Sequence, residues 1–145
     1  MSAPNILKKG SLGILHFIPC GSRVTCFPAP TNTDQDWIVL VSTNQWEEFE
    51  DKLLSEGWIV GGSDLSVDVN VTPAEQQFKS FTLGEDNIIV TKSPAFFYRF
   101  VAATRVAKRL NLIWKTDRIE LFQAVLYGSN PTYIHEEELQ DEELL

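Results

Sequence analysis

Apolar positions along the chain follow two different periods, which predicts a mixture of strands and helices. The apolar run at 13–19 and the nearly unbroken β-branched run at 36–41 predict buried strands, the second of them covered on both faces. A further strand is predicted at 58–60, and alternating polar and apolar residues predict a half-exposed strand at 66–71. Residues 78–83 and 87–91 flank a Gly-Glu-Asp turn and predict a hairpin.

Helical spacing appears in three other places. Trp46, Phe49 and Leu53 recur on one helical face, with Asn44 as the predicted N-cap and Gly57 as the stop. Residues 94–110 predict a longer helix that buries Phe96, Phe100, Ala103, Ala107 and Leu110. Thr116 is expected to cap a last helix, which buries Ile119, Phe122, Val125 and Leu126 and ends at Gly128.

This order of elements predicts an α+β (α/β-like) fold, in which a mixed, twisted β-sheet is flanked by helices. A length of 145 residues is typical of one domain, and we find no repeat and no Pro/Gly/Ser linker that would divide the chain. We therefore expect a single domain at residues 1–133.

The formal net charge of −8 is concentrated at the C-terminus, where residues 134–145 hold six acidic residues and neither Lys nor Arg. Such segments are usually solvated, so we expect a flexible acidic tail that could dock a protein partner. The same charge would repel a nucleic-acid backbone, which argues against a dedicated DNA or RNA binder.

The compartment is expected to be the cytoplasm, or the host cytoplasm if the protein is viral. No apolar run approaches the roughly 20 residues that a membrane helix needs, and the N-terminus does not resemble a signal peptide. Cys20 and Cys26 are the two cysteines of the chain, and in such a setting we expect free thiols rather than a disulfide or a zinc site.

Chemistry is suggested by the stretch from Gly21 to Asp36. Gly21 and Ser22 follow a predicted buried strand, where backbone N–H groups and a hydroxyl can hold phosphate oxygens. Asp34 and Asp36 begin the next strand, and carboxylates two residues apart on a strand project from the same side. A phosphate cradle beside two carboxylates suits a Mg²⁺–nucleotide complex, with the eleven residues between them as a connector.

The Gly-Ser pair followed by Asp-x-Asp on an apolar strand resembles the signature of the DNA polymerase beta-like nucleotidyltransferase superfamily. More loosely, residues from about 78 to 128 resemble small phage-encoded proteins of that type. The resemblance implies a minimal nucleotidyltransferase fold. It also implies that Gly21 and Ser22 bind the phosphates of a nucleoside triphosphate (NTP), and that Asp34 and Asp36 bind Mg²⁺ or Mn²⁺.

A third carboxylate, which often completes such sites, has no clear counterpart. The strand that aligns with it holds Asn87 at the expected position, and an amide cannot serve as a base. Asp86 would point to the other side of an ideal strand unless a bulge re-aims it, and Asp68 is the remaining candidate. Asn87 and Asp68 are therefore both retained as candidate catalytic positions.

Basic residues could complete the nucleotide site. Arg23 directly follows Gly-Ser, and Lys92 follows the predicted hairpin, so both are candidate phosphate ligands. Solvent-exposed loop and strand-end cations are the alternative for each. Arg99, Arg105 and Arg109 could line an acceptor groove or could belong to a solvated helix face.

These features predict an Mg-dependent transferase that passes a nucleoside monophosphate from an NTP to an acceptor, which could be a protein, an RNA end or a small molecule. The alternative is a catalytically degenerate module of the same fold, which would bind a nucleotide or a protein partner without turnover. The missing third carboxylate favours the alternative.

Overall fold

The computed structural model describes residues 3–31, 34–61 and 77–127. The predicted strand at 66–71, Asp68 within it and the acidic tail lie outside these ranges.

A mixed five-stranded sheet with the order β1-β2-β5-β4-β3 forms the centre of the fold. Its strands are β1 (Ile14–Cys20), β2 (Gln35–Val41), β3 (Ile59–Gly61), β4 (Lys79–Leu83) and β5 (Asp86–Thr91). The β2 and β5 strands are parallel, whereas β1–β2, β3–β4 and β4–β5 pair antiparallel. The described helices are α1 (Ser22–Thr25), α2 (Trp46–Ser55), α3 (Pro94–Leu110) and α4 (Lys115–Tyr127), and a 3-10 turn at Thr43–Gln45 precedes α2.

The central strand β2 is covered on both faces because its side chains alternate between two apolar clusters. Ile38 and Leu40 pack with Ile89 and the inner face of α3 and α4. Trp37, Val39 and Val41 pack on the opposite face with Phe49, and the rest of that cluster comes from the N-terminal segment, β1, α2, β4, β5 and Trp58.

The predicted α+β class with a mixed sheet between helices is confirmed. The 94–110 helix has the predicted bounds, and Ser93 caps it by accepting a hydrogen bond from the Phe96 N–H at 3.2 Å. The hairpin is also confirmed, with β4 and β5 paired in continuous register around Gly84 and Glu85. Among the described residues, no helix combines the length and the apolar character needed to cross a membrane.

Four local predictions were wrong. The strand predicted to be buried at 13–19 is β1, which lies at the edge of the sheet and buries only its end residues Ile14 and Cys20. Asn44 lies inside the 3-10 turn and does not cap α2, since Gln45 occupies the N-cap position. Thr116 lies inside α4, which begins one residue earlier. Leu110 is 63% exposed at the last position of α3, directly before Asn111, whose left-handed backbone has φ +46°.

Phe100 and Leu110 lie on the same helix, α3, but only Phe100 is buried in the apolar core. Phe100 is 3% exposed and contacts the Phe122 ring at 4.8 Å between centroids. We expect Phe100→Ala to lower the free energy of unfolding by about 3–5 kcal/mol, measured by urea denaturation. The control Leu110→Ala should change it by less than about 0.5 kcal/mol, because that side chain lies in solvent. Equal losses would contradict the placement of the helix end.

Candidate functional site

The sheet register brings Cys20, Asp36 and Asn87 side by side. Cys20 pairs with Asp36 across β1 and β2, and Asp36 pairs with Asn87 across β2 and β5. Asn87 donates a hydrogen bond from Nδ2 to Asp36 Oδ1 at 3.0 Å. Both side chains lie on the sheet face that α3 and α4 cover, because each stands two residues before a residue of that face, Ile38 or Ile89. The aspartate that begins the apolar strand therefore stands at the end of the core, with an amide as its neighbour.

Gly21 closes the other side of this carboxylate. Its backbone has φ +79° and ψ −174°, a conformation that only glycine adopts readily. A Cβ at this position would collide with Asp36 Oδ2. Gly21 and Asp36, which belong to the two halves of the predicted motif and lie 15 positions apart in the sequence, are thus in direct contact.

Residues 23–25, which were predicted to belong to the connector between the two halves of the motif, form a single helical turn, α1, together with Ser22. The N–H groups of Val24 and Thr25 donate to the Gly21 carbonyl at 3.0 Å. Ser22 is the first residue of this turn, next to Gly21 and half-buried.

Burial dominates the electrostatics of Asp36 and raises the pKa of its carboxyl to about 6 from the usual 3.8. The Asn87 hydrogen bond lowers that pKa, the nearby charge of Asp34 raises it, and Arg23 lowers it, each by less than burial. Cys20 is buried beside it, and desolvation followed by the charge of Asp36 raises the pKa of the thiol well above its usual value. Asp36 forms no ion pair with the part of the chain that the structure describes. A partly buried carboxylate in that situation is costly, and such groups occur preferentially at functional sites.

Arg23 provides the positive charge of this region. Its guanidinium lowers the pKa of both Asp36 and Asp86, so it lies within electrostatic reach of the two carboxylates. Arg23 Nη2 donates to the Thr31 carbonyl at the long distance of 3.5 Å. Its Nε is buried and has no hydrogen-bond partner among the described residues, which leaves one N–H available for an added acceptor.

The segment that carries Gly21 and Arg23 is tied to the α3–α4 connection. Phe27 N–H donates to Asn111 Oδ1 at 2.8 Å, and Asn111 Nδ2 donates back to the Phe27 carbonyl at 3.1 Å. Arg118 Nη1 contacts Cys26 Sγ at 3.3 Å and donates to the Leu112 and Ile113 carbonyls at 2.8 and 2.9 Å. Both cysteines are free thiols, as expected, and Cys26 belongs to this anchor.

The other predicted site residues lie elsewhere or outside the description. Lys92 follows the opposite end of β5, five residues beyond Asn87 and hence roughly 17 Å away, and its Nζ lies 5.6 Å from the centroid of the Trp46 ring. The structure therefore does not bring Lys92 to Asp36. Asp86 faces the opposite side of β5 from Asn87, because the register with β2 is continuous and contains no bulge.

The oxygen donors available for a cation are few. Asp34 is exposed directly before β2, close enough to raise the pKa of Asp36. In the described ranges, no group of three or more His, Cys, Asp or Glu side chains could hold a metal ion. Mg²⁺ commonly takes only one or two protein carboxylates together with water and substrate phosphates, so the pair Asp34 and Asp36 fits that minimal set.

Sequence reasoning missed Asn111 and Arg118. A signal for Asn111 was present, because asparagine directly after a helix often adopts the left-handed conformation seen here. Arg118 had no local signal, since its partners Cys26 and Leu112 become neighbours only through the packing of the helices.

Comparisons of the chain with protein-family models, with curated proteins and with solved structures found no match. The resemblance to nucleotidyltransferases therefore rests on the sequence features described above.

The raised pKa of Asp36 predicts a specific pH dependence of stability. Between the unfolded value near 4 and the folded value of about 6, the native state binds more protons, so stability falls as pH rises through this window. The two-unit difference corresponds to about 3 kcal/mol. Asp36→Asn keeps an oxygen that can accept from Asn87 and removes the charge. We expect it to raise the free energy of unfolding at pH 7 by up to about 3 kcal/mol and to flatten its change between pH 4 and 6.

Urea denaturation in EDTA at several pH values measures this effect. The control Asp34→Asn alters an exposed carboxylate and should change stability by less than about 0.5 kcal/mol. A loss of stability in Asp36→Asn at pH 7 would mean that the ionised carboxylate is compensated within the fold.

The contact between Gly21 and Asp36 predicts a coupled pair of substitutions. Gly21→Ala should destabilise the protein by roughly 2–3 kcal/mol or more, because it adds backbone strain and a collision with Asp36. In an Asp36→Ala background the collision is absent and only the strain should remain. A double-mutant cycle by urea denaturation should therefore give a clear interaction energy. Simple additivity would show that the two residues are not in contact.

Proposed function

We propose that the protein binds an NTP together with Mg²⁺ or Mn²⁺ at Asp36. We further propose that it transfers the nucleoside monophosphate to an acceptor, as the sequence resemblance implies. The observation that carries this proposal is the enclosure of a partly buried carboxylate, of pKa about 6, between Gly21 and Asn87 with Arg23 nearby. A negative charge held at the edge of a core is tolerated most readily where a bound cation compensates it.

Each residue would have a separate role. Asp34 and Asp36 would hold the cation, which supplies charge neutralisation for the phosphates when bound. Gly21 and Ser22 would lie along the phosphates, as the sequence resemblance implies, whereas the space left by the missing Cβ of Gly21 holds the Asp36 carboxylate. The buried Nε of Arg23 would donate to a phosphate oxygen. Asn87 would orient Asp36 through its hydrogen bond. Lys92 has no role in this proposal.

A second candidate function is a module that binds the nucleotide without turnover. The observation that favours it is Asn87, which lies opposite Asp36 on the neighbouring strand and donates a hydrogen bond to it. Because its side chain is an amide, Asn87 cannot accept a proton as a third carboxylate would. Asp68, outside the described residues, is the other proposed candidate for that role. The acceptor could be a protein, an RNA end or a small molecule, and the site is proposed to operate in the cytoplasm.

Calorimetry with ATP and GTP in the presence of Mg²⁺ or Mn²⁺ measures nucleotide binding. Incubation with labelled NTPs and a cell extract measures transfer of the label to an acceptor, and the two measurements together test both candidates. We expect metal-dependent binding that weakens roughly 10- to 100-fold in Arg23→Ala, because one charged hydrogen bond is lost. Lys92→Ala is the matched control and should bind as the unaltered protein does. Asp34→Ala combined with Asp36→Ala should abolish metal-dependent binding and label transfer.

The outcomes separate the alternatives. Binding with label transfer that disappears in the double variant supports the transferase, and binding without product supports the module. Label transfer that survives the double variant would rule out catalysis by these carboxylates. Absence of binding to every NTP would overturn both candidates.

A further inference from the structure

An exposed apolar surface lies where α3 turns into α4. Four large side chains share it: Phe27 is 83% exposed, Leu110 63%, Ile113 57% and Trp114 68%. They belong to one place in the fold, because Phe27 is paired through its backbone with Asn111 in the α3–α4 connection. We refer to these four residues as the turn surface.

The turn surface is held in a fixed shape. Arg118 donates to the carbonyls of Leu112 and Ile113 at 2.8 and 2.9 Å, and Leu112 N–H donates to the Ala107 carbonyl at 3.1 Å. An ordered cluster of exposed aromatic and aliphatic side chains on a protein surface commonly marks a binding site. What binds there must be inferred from charge and reach.

The charge around the turn surface is positive although the chain is acidic. Residues 94–127 contain six Lys or Arg and two Asp or Glu, in a chain of formal net charge −8. Lys108 and Arg109 are both exposed at the end of α3, directly before Leu110. The complementary ligand is therefore an acidic segment that also carries apolar side chains.

The chain itself contains such a segment. Residues 134–145 hold six acidic side chains together with Ile134, Leu139, Leu144 and Leu145. The segment follows α4, whose other end lies beside the turn surface. Helix α4 has 13 residues and is therefore about 20 Å long, whereas the nine residues from Tyr127 to Glu136 can span roughly 30 Å. The acidic segment can reach the turn surface of its own chain.

We propose that residues 134–145 bind the turn surface of the same molecule, with the leucines on the exposed apolar side chains and the carboxylates beside Lys108 and Arg109. Tethering favours this arrangement, because a short linker gives an effective concentration on the order of millimolar and weak contacts then suffice. Binding would cover the face next to Phe27, six residues beyond Gly21.

The indole N–H resonance of Trp114 in the full-length ¹⁵N-labelled protein provides the test. Trp114 is the one of the four tryptophans that belongs to the turn surface, whereas Trp37 and Trp58 are each 4% exposed and report on the fold. Neutralising the tail with Glu136→Gln, Glu137→Gln and Glu138→Gln should shift the Trp114 resonance and leave the other two in place. About 1 M NaCl should shift it in the same direction, because charges are then screened beyond roughly 3 Å.

A charge exchange provides the specific control. Lys108→Glu with Arg109→Glu should shift the Trp114 resonance as tail neutralisation does, and adding Glu137→Lys with Glu138→Lys should restore it. Glu47→Gln with Glu48→Gln removes two exposed charges at the start of α2 and should have no effect.

Three results would overturn the proposal. The first is a Trp114 resonance that is the same with and without the tail charges. The second is a charge exchange that fails to restore it while the resonances of Trp37 and Trp58 show an intact fold. The third is a dependence on protein concentration, which would assign the surface to a second copy of the chain.

Discussion

The parallel pairing of β2 with β5 is the constraint on which the rest of the described structure depends. It places Asp36 opposite Asn87 and leaves β1 to pair on the other side of β2. Each face of β2 is then covered by one apolar cluster. Asp36, near the beginning of the strand, is the one residue of β2 that is not fully buried. Position in the sheet thus determines which side chains can meet, and the candidate site follows from it.

The candidate site combines a cost with a fixed geometry. Burial disfavours the ionised form of Asp36, and Asn87 compensates only part of that cost. Gly21 lies directly against this carboxylate. A glycine loses more backbone conformational entropy on folding than any other residue, so this placement also lowers stability. Asn111 and Arg118 of the helical layer hold the segment that follows Gly21, through Phe27 and Cys26. The sheet therefore supplies the Asp36 carboxylate, and the helices help to position the Gly21 backbone against it.

Much of the fold could be predicted because strong patterns decide it locally. The apolar run of β2, the hairpin of β4 and β5 and the face of α3 each carry their own signal. Lys92 could have been separated from Asn87 on the sequence alone, because an extended strand puts residues five positions apart at roughly 17 Å whatever the direction of β5. Leu110 fits the helical pattern, but the apolar period does not say where α3 leaves the core. The contact of Gly21 with Asp36 depends on the register of β1 with β2, which no local pattern specifies.

The closeness of Gly21 to Asp36 has a consequence for how such a site can be lost in descent. A first substitution at position 21 is opposed by both the backbone conformation and the neighbouring carboxylate. A first substitution at position 36 by a smaller or neutral side chain meets no such resistance and relieves the cost of burial. In a lineage that no longer needs an ionised carboxylate here, position 36 should therefore change first, and Gly21 should persist after that change.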